Sequence, residues 1–178
     1  MISAILVAMM ARDLPKVPLK LVGGVATDGT PVIFAPDKSK ATVLFFIATD
    51  CPIANRYAPE IARINQLYSA KGVKTYRIYV SKNYKTIIQH GKEYGLSMTA
   101  VIDTNRKLVT STGAKITPEA IVLNPNGVLV YRGRIDDQNV EHGVVRKGYR
   151  RDLRIALNEL LAGKPISEPE MTAIGCYL

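Results

Sequence analysis

An α/β fold, with one central mixed β-sheet flanked by helices, is what the sequence predicts, and three observations carry that prediction. Residues Ala41 to Ile47 read Ala-Thr-Val-Leu-Phe-Phe-Ile, a nearly continuous apolar run of the kind found in strands covered on both faces. Directly after it, Ile53, Tyr57, Ile61, Ile64 and Tyr68 recur at steps of four, four, three and four, one stripe of a helix that closes near Gly72. Later, Glu119 to Leu123 and Val128 to Arg132 flank Asn124-Pro125-Asn126-Gly127, and such turn-forming residues predict an antiparallel hairpin. Alternation of strand and helix gives the class, and the hairpin makes the sheet mixed.

The remaining elements follow in order. An early hairpin is expected from Leu19-Lys20-Leu21-Val22 and Pro31-Val32-Ile33-Phe34 around the Asp28-Gly29 turn signal. Pro59 lies inside the first long helix, where it cannot donate a backbone hydrogen bond and should bend the helix. Lys74 to Val80 reads as a strand, Tyr84 to Tyr94 as a helix closed by Gly95, Met98 to Ile102 as a short strand and Asn105 to Ser111 as a weak helix. From Tyr149 onward, Leu153, Ala156, Leu157, Leu160 and Leu161 mark a last helix that stops at Gly163. This divides the chain into an N-terminal segment 1–15, a domain over 16–163 and a C-terminal tail over 164–178.

At 178 residues with 47% hydrophobic side chains, the chain builds one domain with a substantial core. The formal net charge of +9 is concentrated early, with 12 basic and 5 acidic residues over 1–89 against 12 and 10 over 90–178. Most basic residues are spread singly rather than clustered with aromatics, which argues against a nucleic-acid partner. The densest stretch, Arg146, Lys147, Arg150, Arg151 and Arg154, has a spacing that predicts one solvated helix face. Residues Ile2 to Met10 form an apolar run too short to span a bilayer. No basic residue precedes it, and the small-residue cleavage pattern of a secretory signal is missing around Ala8 and Ala11. The expectation is a signal remnant, with a periplasmic or secreted protein, or else a packed N-terminal segment on a cytoplasmic one.

Cys51 is the residue with the clearest chemistry. It stands where the buried strand ends and the helix begins, in Ala48-Thr49-Asp50-Cys51-Pro52-Ile53-Ala54-Asn55. Unpaired amides and the positive end of the helix dipole there favour thiolate over thiol, and nearby Arg56 acts in the same direction. Asp50 opposes them, since an adjacent carboxylate disfavours a second negative charge. The bland alternative is a small cysteine used for packing. Asp136-Asp137 reads as a solvated turn more readily than as a cation site, and His90 and His142 stand isolated in the sequence.

In its order of elements and its strand-Cys-helix junction, the chain resembles the thioredoxin-like redoxins. Three segments sharpen this: Cys51-Pro52-Ile53-Ala54-Asn55-Arg56-Tyr57-Ala58-Pro59, Tyr131-Arg132-Gly133-Arg134-Ile135-Asp136-Asp137 and the Gly175-Cys176 ending. Together they are similar to the AhpC/TSA-related, peroxiredoxin-like redoxin-domain proteins of bacteria over residues 16–178. The resemblance implies a thioredoxin-like fold and a cis peptide bond at Thr117-Pro118 opposite Cys51, leaving the Thr117 backbone free to pair with an extended substrate. The departures matter. Ala54 stands where thioredoxins place their second cysteine, and Asp50 where a tryptophan is usual. Ala54 also occupies the peroxidatic position of true peroxiredoxins, while Cys51 falls at their threonine position.

A one-thiol site needs a resolving partner to avoid overoxidation, and apart from an external thiol Cys176 is the only other cysteine sulfur that could supply it. The leading expectation is therefore a thiol-disulfide oxidoreductase with Cys51 as nucleophile, Cys176 as resolving thiol, and Thr117 and Pro118 holding a protein or small-molecule disulfide. No cofactor or resident metal is expected. Two alternatives stay open at this point. One is a non-catalytic binding module in which Cys51 and Cys176 form a structural bridge or hold a metal with a histidine, and the other is an atypical thiol peroxidase.

Overall fold

The computed structural model describes residue 14 and residues 23–34, 38–141 and 143–178. The chain runs β1 (Val25–Ala26), β2 (Ala41–Phe46), α1 (Pro52–Ser69), β3 (Val73–Tyr79), α2 (Tyr84–Glu93), β4 (Thr99–Ile102) and α3 (Lys107–Thr112). It continues with β5 (Ile116–Thr117), β6 (Glu119–Leu123), β7 (Leu129–Gly133), β8 (Asn139–Glu141), β9 (Val144–Val145), α4 (Asp152–Leu161) and β10 (Cys176–Tyr177). Six strands form the main sheet in the order β1-β4-β3-β2-β6-β7. β2, β3 and β4 are parallel, whereas β1, β6 and β7 run antiparallel to their neighbours. This is a thioredoxin-like α/β fold.

β2 explains the arrangement. Its alternate side chains feed two cores: Val43 and Phe45 pack with α1, Ile87 of α2 and Leu153, Ala156 and Leu157 of α4, whereas Leu44 and Phe46 pack with Leu108 of α3, Ile121 and Leu129. A strand buried on both faces must be apolar at every position, and that is what the run from Ala41 shows. α1 passes through Pro59 as one uninterrupted helix, burying the predicted stripe Ile53, Tyr57, Ile61, Ile64 and Tyr68.

One expectation lies partly outside the described residues, and two are corrected. Residues 19–22, expected in the first hairpin, lie outside the described residues, as do residues 1–13. The turn at Asp28-Gly29 is present, with Val25 bridging Pro31 antiparallel and the Ala26 amide donating to Thr30 O at 2.8 Å. The basic stretch is not one helix face, because α4 begins at Asp152 and only Arg154 lies within it. Backbone bonds from Asp137 N to Arg150 O (3.1 Å) and from Leu153 N to Ile135 O (3.1 Å) tie the preceding segment to the chain after β7. Three of its four arginines are spent on carboxylates: Arg146 pairs with Asp137, Arg150 with Asp152 and Glu168, and Arg154 with Glu60. Asp136 and Asp137 are likewise buried rather than solvated.

The tail is structured. Pro169 and Met171 bond to both sides of Arg132 on β7, with Arg132 N donating to Pro169 O at 2.9 Å and Met171 N to Arg132 O at 3.0 Å. Glu170 pairs with the Arg132 guanidinium. Farther on, β10 pairs antiparallel with β5, placing Cys176 opposite Thr117 and Tyr177 opposite Ile116.

Candidate active site

Cys51 is the N-cap of α1, followed by Pro52 in the first turn, a position where the missing proline amide costs nothing. Its sulfur accepts from the Ala54 amide at 3.5 Å, doing for the helix what a serine or aspartate cap oxygen would. Ala54 thus supplies an amide to the sulfur at the position where a second thiol is absent. The Cys51 side chain is buried, and as a thiol it donates to Thr117 O at 3.2 Å.

Thr117-Pro118 is the cis peptide bond of the described chain. The cis bond and the Cys51 contact put the Thr117 carbonyl against the thiol, and the β5–β10 pairing brings the tail across the same residue. The result is that the two sulfurs stand 2.8 Å apart and unbonded. Cys176 is pushed up to about 11, first by its hydrogen bond to Cys51, then by burial, and further by negative charge on Cys51 and by Asp50. The two sulfurs share one hydrogen bond, in which either can donate. Asp50 is exposed and bears electrostatically on the tail cysteine. Arg56 turns elsewhere: its Nη1 donates to Asn139 Oδ1 at 3.3 Å rather than to either sulfur.

A buried polar network that the sequence reading missed supports the loop before Cys51. Asn55, one turn into α1, donates from Nδ2 to Thr49 O at 3.2 Å and accepts at Oδ1 from His90 Nε2 at 2.8 Å. His90 Nδ1 then accepts from the Tyr79 hydroxyl at 2.9 Å, and Tyr79 accepts from Arg77 Nη1 at 3.2 Å. One neutral tautomer satisfies every bond. Burial, then the Arg77 charge, pushes His90 below the usual histidine value. Both ring nitrogens are occupied, so His90 is neither isolated nor placed to join the two sulfurs in a metal site. Among the described residues no three His, Cys, Asp or Glu side chains group as metal ligands.

A second missed pair lies beneath Pro118. The Tyr57 hydroxyl donates to Asp136 Oδ1 at 2.5 Å, and the same oxygen accepts from Gln138 N at 3.0 Å. Burial is the main influence raising Asp136 above the usual carboxylate range. Tyr57, Pro118, Asp136, Asn139 and Ile174 line one small pocket, linking this pair to the cis-proline and the tail.

A family model for Redoxin matches residues 14–147, more than half of the chain. The chain belongs to the Redoxin family. Among curated proteins, the thiol-disulfide oxidoreductase ResA of Halalkalibacterium halodurans is 28% identical over 106 residues, which is 58% of this chain and 60% of that protein. The ResA of Bacillus subtilis is 24% identical over 104 residues, 58% of each. The redoxin thus matches these relatives over about three fifths of their length. Among solved structures, an uncharacterized conserved protein from Geobacillus kaustophilus is 26% identical with a TM-score of 0.81, covering 93% of this chain and 92% of that one. A hypothetical protein from Sinorhizobium meliloti reaches 0.77 at 22% identity, covering 92% and 91%. A secreted disulfide oxidoreductase of Mycobacterium tuberculosis shares the fold at 0.55 and 19% identity, covering 62% and 81%. No helix among the described residues is long and apolar enough to cross a membrane.

Proposed function

We propose that the protein is a thiol-disulfide oxidoreductase in which Cys51 is the nucleophile and Cys176 the resolving thiol. The observation that carries this reading is the pair of sulfurs 2.8 Å apart at the Thr117-Pro118 corner. In the first step the Cys51 thiolate attacks one sulfur of a substrate disulfide, forming a mixed disulfide and expelling the other sulfur as thiolate. In the second, Cys176 gives up its proton and attacks the Cys51 sulfur, forming the Cys51–Cys176 disulfide and releasing the remaining substrate thiolate. The substrate gains two electrons and the protein loses two. A dithiol reductant restores the starting state, and run backwards the same steps oxidise a substrate dithiol.

The similarity to the ResA proteins supports this chemistry, and Ala54 explains why the second thiol comes from the tail rather than from the helix. An exported location fits the reading, since disulfide chemistry persists outside the reducing cytosol. The test uses hydroxyethyl disulfide. Wild-type protein should release two thiols per chain and end with one intramolecular disulfide, Cys176→Ser should stop at a mixed disulfide on Cys51, and Cys51→Ser should release none. Equal release by wild type and Cys51→Ser would overturn the assignment.

A further inference from the structure

The tail does more than deliver Cys176, because it sits where a substrate chain would have to lie. Among the described residues β5 has a single strand partner, β10, and beyond it Leu178 N donates to Lys115 O at 3.0 Å while Arg106 Nη2 donates to Leu178 O at 3.1 Å. With this strand in place Cys51 is 2% exposed and its sulfur faces Cys176. A disulfide carried on a polypeptide cannot reach that sulfur past the docked strand. The position next to Thr117 is a strand-addition site, and the protein's own last residues fill it.

The way they fill it specifies the occupant. A Cβ at Gly175 would lie 2.1 Å from Thr117 O, 2.8 Å from Thr117 C and 3.0 Å from Ile116 Cγ2, so any side chain there would collide with the Thr117 backbone. Only glycine fits immediately before the cysteine. After the cysteine the demand is loose, since Tyr177 is 88% exposed. The strand is also short and anchored apart from the rest of the tail. It is two residue pairs long, and upstream the chain is anchored separately by Pro169, Glu170 and Met171 on β7. Between the anchors, Thr172 and Ala173 pass over a cavity of about 530 Å³ lined also by Lys115, Glu119 and Arg132. Residues 172–178 are held by this two-pair strand, by the packing of Cys176 and Leu178 on the cores and by Arg106, separately from the anchor on β7, so they can leave as a unit while the rest of the tail stays.

Building on the proposed exchange chemistry, we infer that the Thr117 edge takes an extended polypeptide whose reactive cysteine is preceded by glycine, and that residues 172–178 are an internal occupant that such a substrate displaces. The Thr117 carbonyl and the Ile116 side chain, against which Gly175 lies in the docked tail, set this specificity.

The test uses full-length Cys176→Ser protein and two synthetic pentapeptides, Ala-Ile-Gly-Cys-Tyr and Ala-Ile-Val-Cys-Tyr, each activated as a mixed disulfide with thionitrobenzoate. Release of thionitrobenzoate reports attack by Cys51 alone. Adding Gly175→Val, which prevents the tail from docking, should speed attack on the glycine peptide at least tenfold. In that double variant the glycine peptide should react at least tenfold faster than the valine peptide. Equal rates with and without Gly175→Val, or equal rates for the two peptides, would overturn the inference. Should Gly175→Val fail to fold, Arg106→Ala in the same background removes one of the bonds that hold the last residue and should give a smaller acceleration; no acceleration there would count equally against it. The symmetric reagent dithiobis(nitrobenzoate) separates the two levels. If it too leaves Cys51 of the undocked protein untouched, the nucleophile assignment fails; if it reacts while the peptides do not differ, only the substrate inference fails.

Discussion

Cys176 holds its proton because its neighbours all resist a second negative charge at the site. The hydrogen bond to Cys51 is the largest influence, followed by burial, the charge on Cys51 and Asp50. Thiolate absorbance followed against pH should therefore show a step near 11 belonging to Cys176. In Cys51→Ser that step should fall toward an ordinary cysteine, and an unmoved step would show that burial alone sets it. Tyr57 makes a different point. Its hydroxyl is the side-chain partner of a buried carboxylate, so Tyr57→Phe leaves Asp136 with one backbone amide. A loss of about 1–3 kcal/mol in chemical unfolding is expected for a buried acceptor losing its donor. At this scale the sequence showed Cys51, through its place between an apolar run and a helical stripe, but it concealed Asp136. Two adjacent aspartates look like a turn until a tyrosine 79 positions away is folded onto one of them.

Elements were legible wherever one periodicity governed a segment. β2, α1 and the β6–β7 hairpin carry patterns that no tertiary contact had to correct, whereas the extent of α4 was misjudged because Asp137 and Ile135 capture the backbone of residues 150 and 153. The union of α1, β3 and α2 through Asn55, Tyr79 and His90 was hidden, since a histidine gives no sign in sequence of what it will face. It has a measurable consequence. The folded His90 titrates below its unfolded value, so the unfolded chain binds more protons below about pH 6.5. Stability from this group is fully present above the unfolded value and is lost as pH falls through the window down to the depressed folded one. Urea unfolding at pH 7.5 and 5.5 should show a loss in the wild type that is smaller in His90→Gln. An equal loss in both would assign the acid sensitivity to other groups.

Across the whole molecule, the tail closes the longest connection that matters for function. Cys51 and Cys176 are 125 residues apart in sequence, and the sequence named Cys176 as the partner but not the route that brings it there. That route depends on backbone pairing with Arg132 and Thr117, which side-chain patterns do not encode. A bridge closing so long a loop removes much unfolded-state freedom, worth about 3–5 kcal/mol in the chain-entropy account. For a domain of this size the oxidised protein should melt on the order of 10 °C above the reduced one. Coincident melting would mean that the bridge does not form in the folded state. The reduction potential of the pair tests the central claim most directly, measured by equilibrating the protein in glutathione buffers and mapping the linked peptides. The account predicts a single intramolecular Cys51–Cys176 disulfide titrating between about −270 and −120 mV, the range of enzymes that exchange disulfides. A bridge reduced only below about −300 mV, or linkage between chains alone, would contradict it.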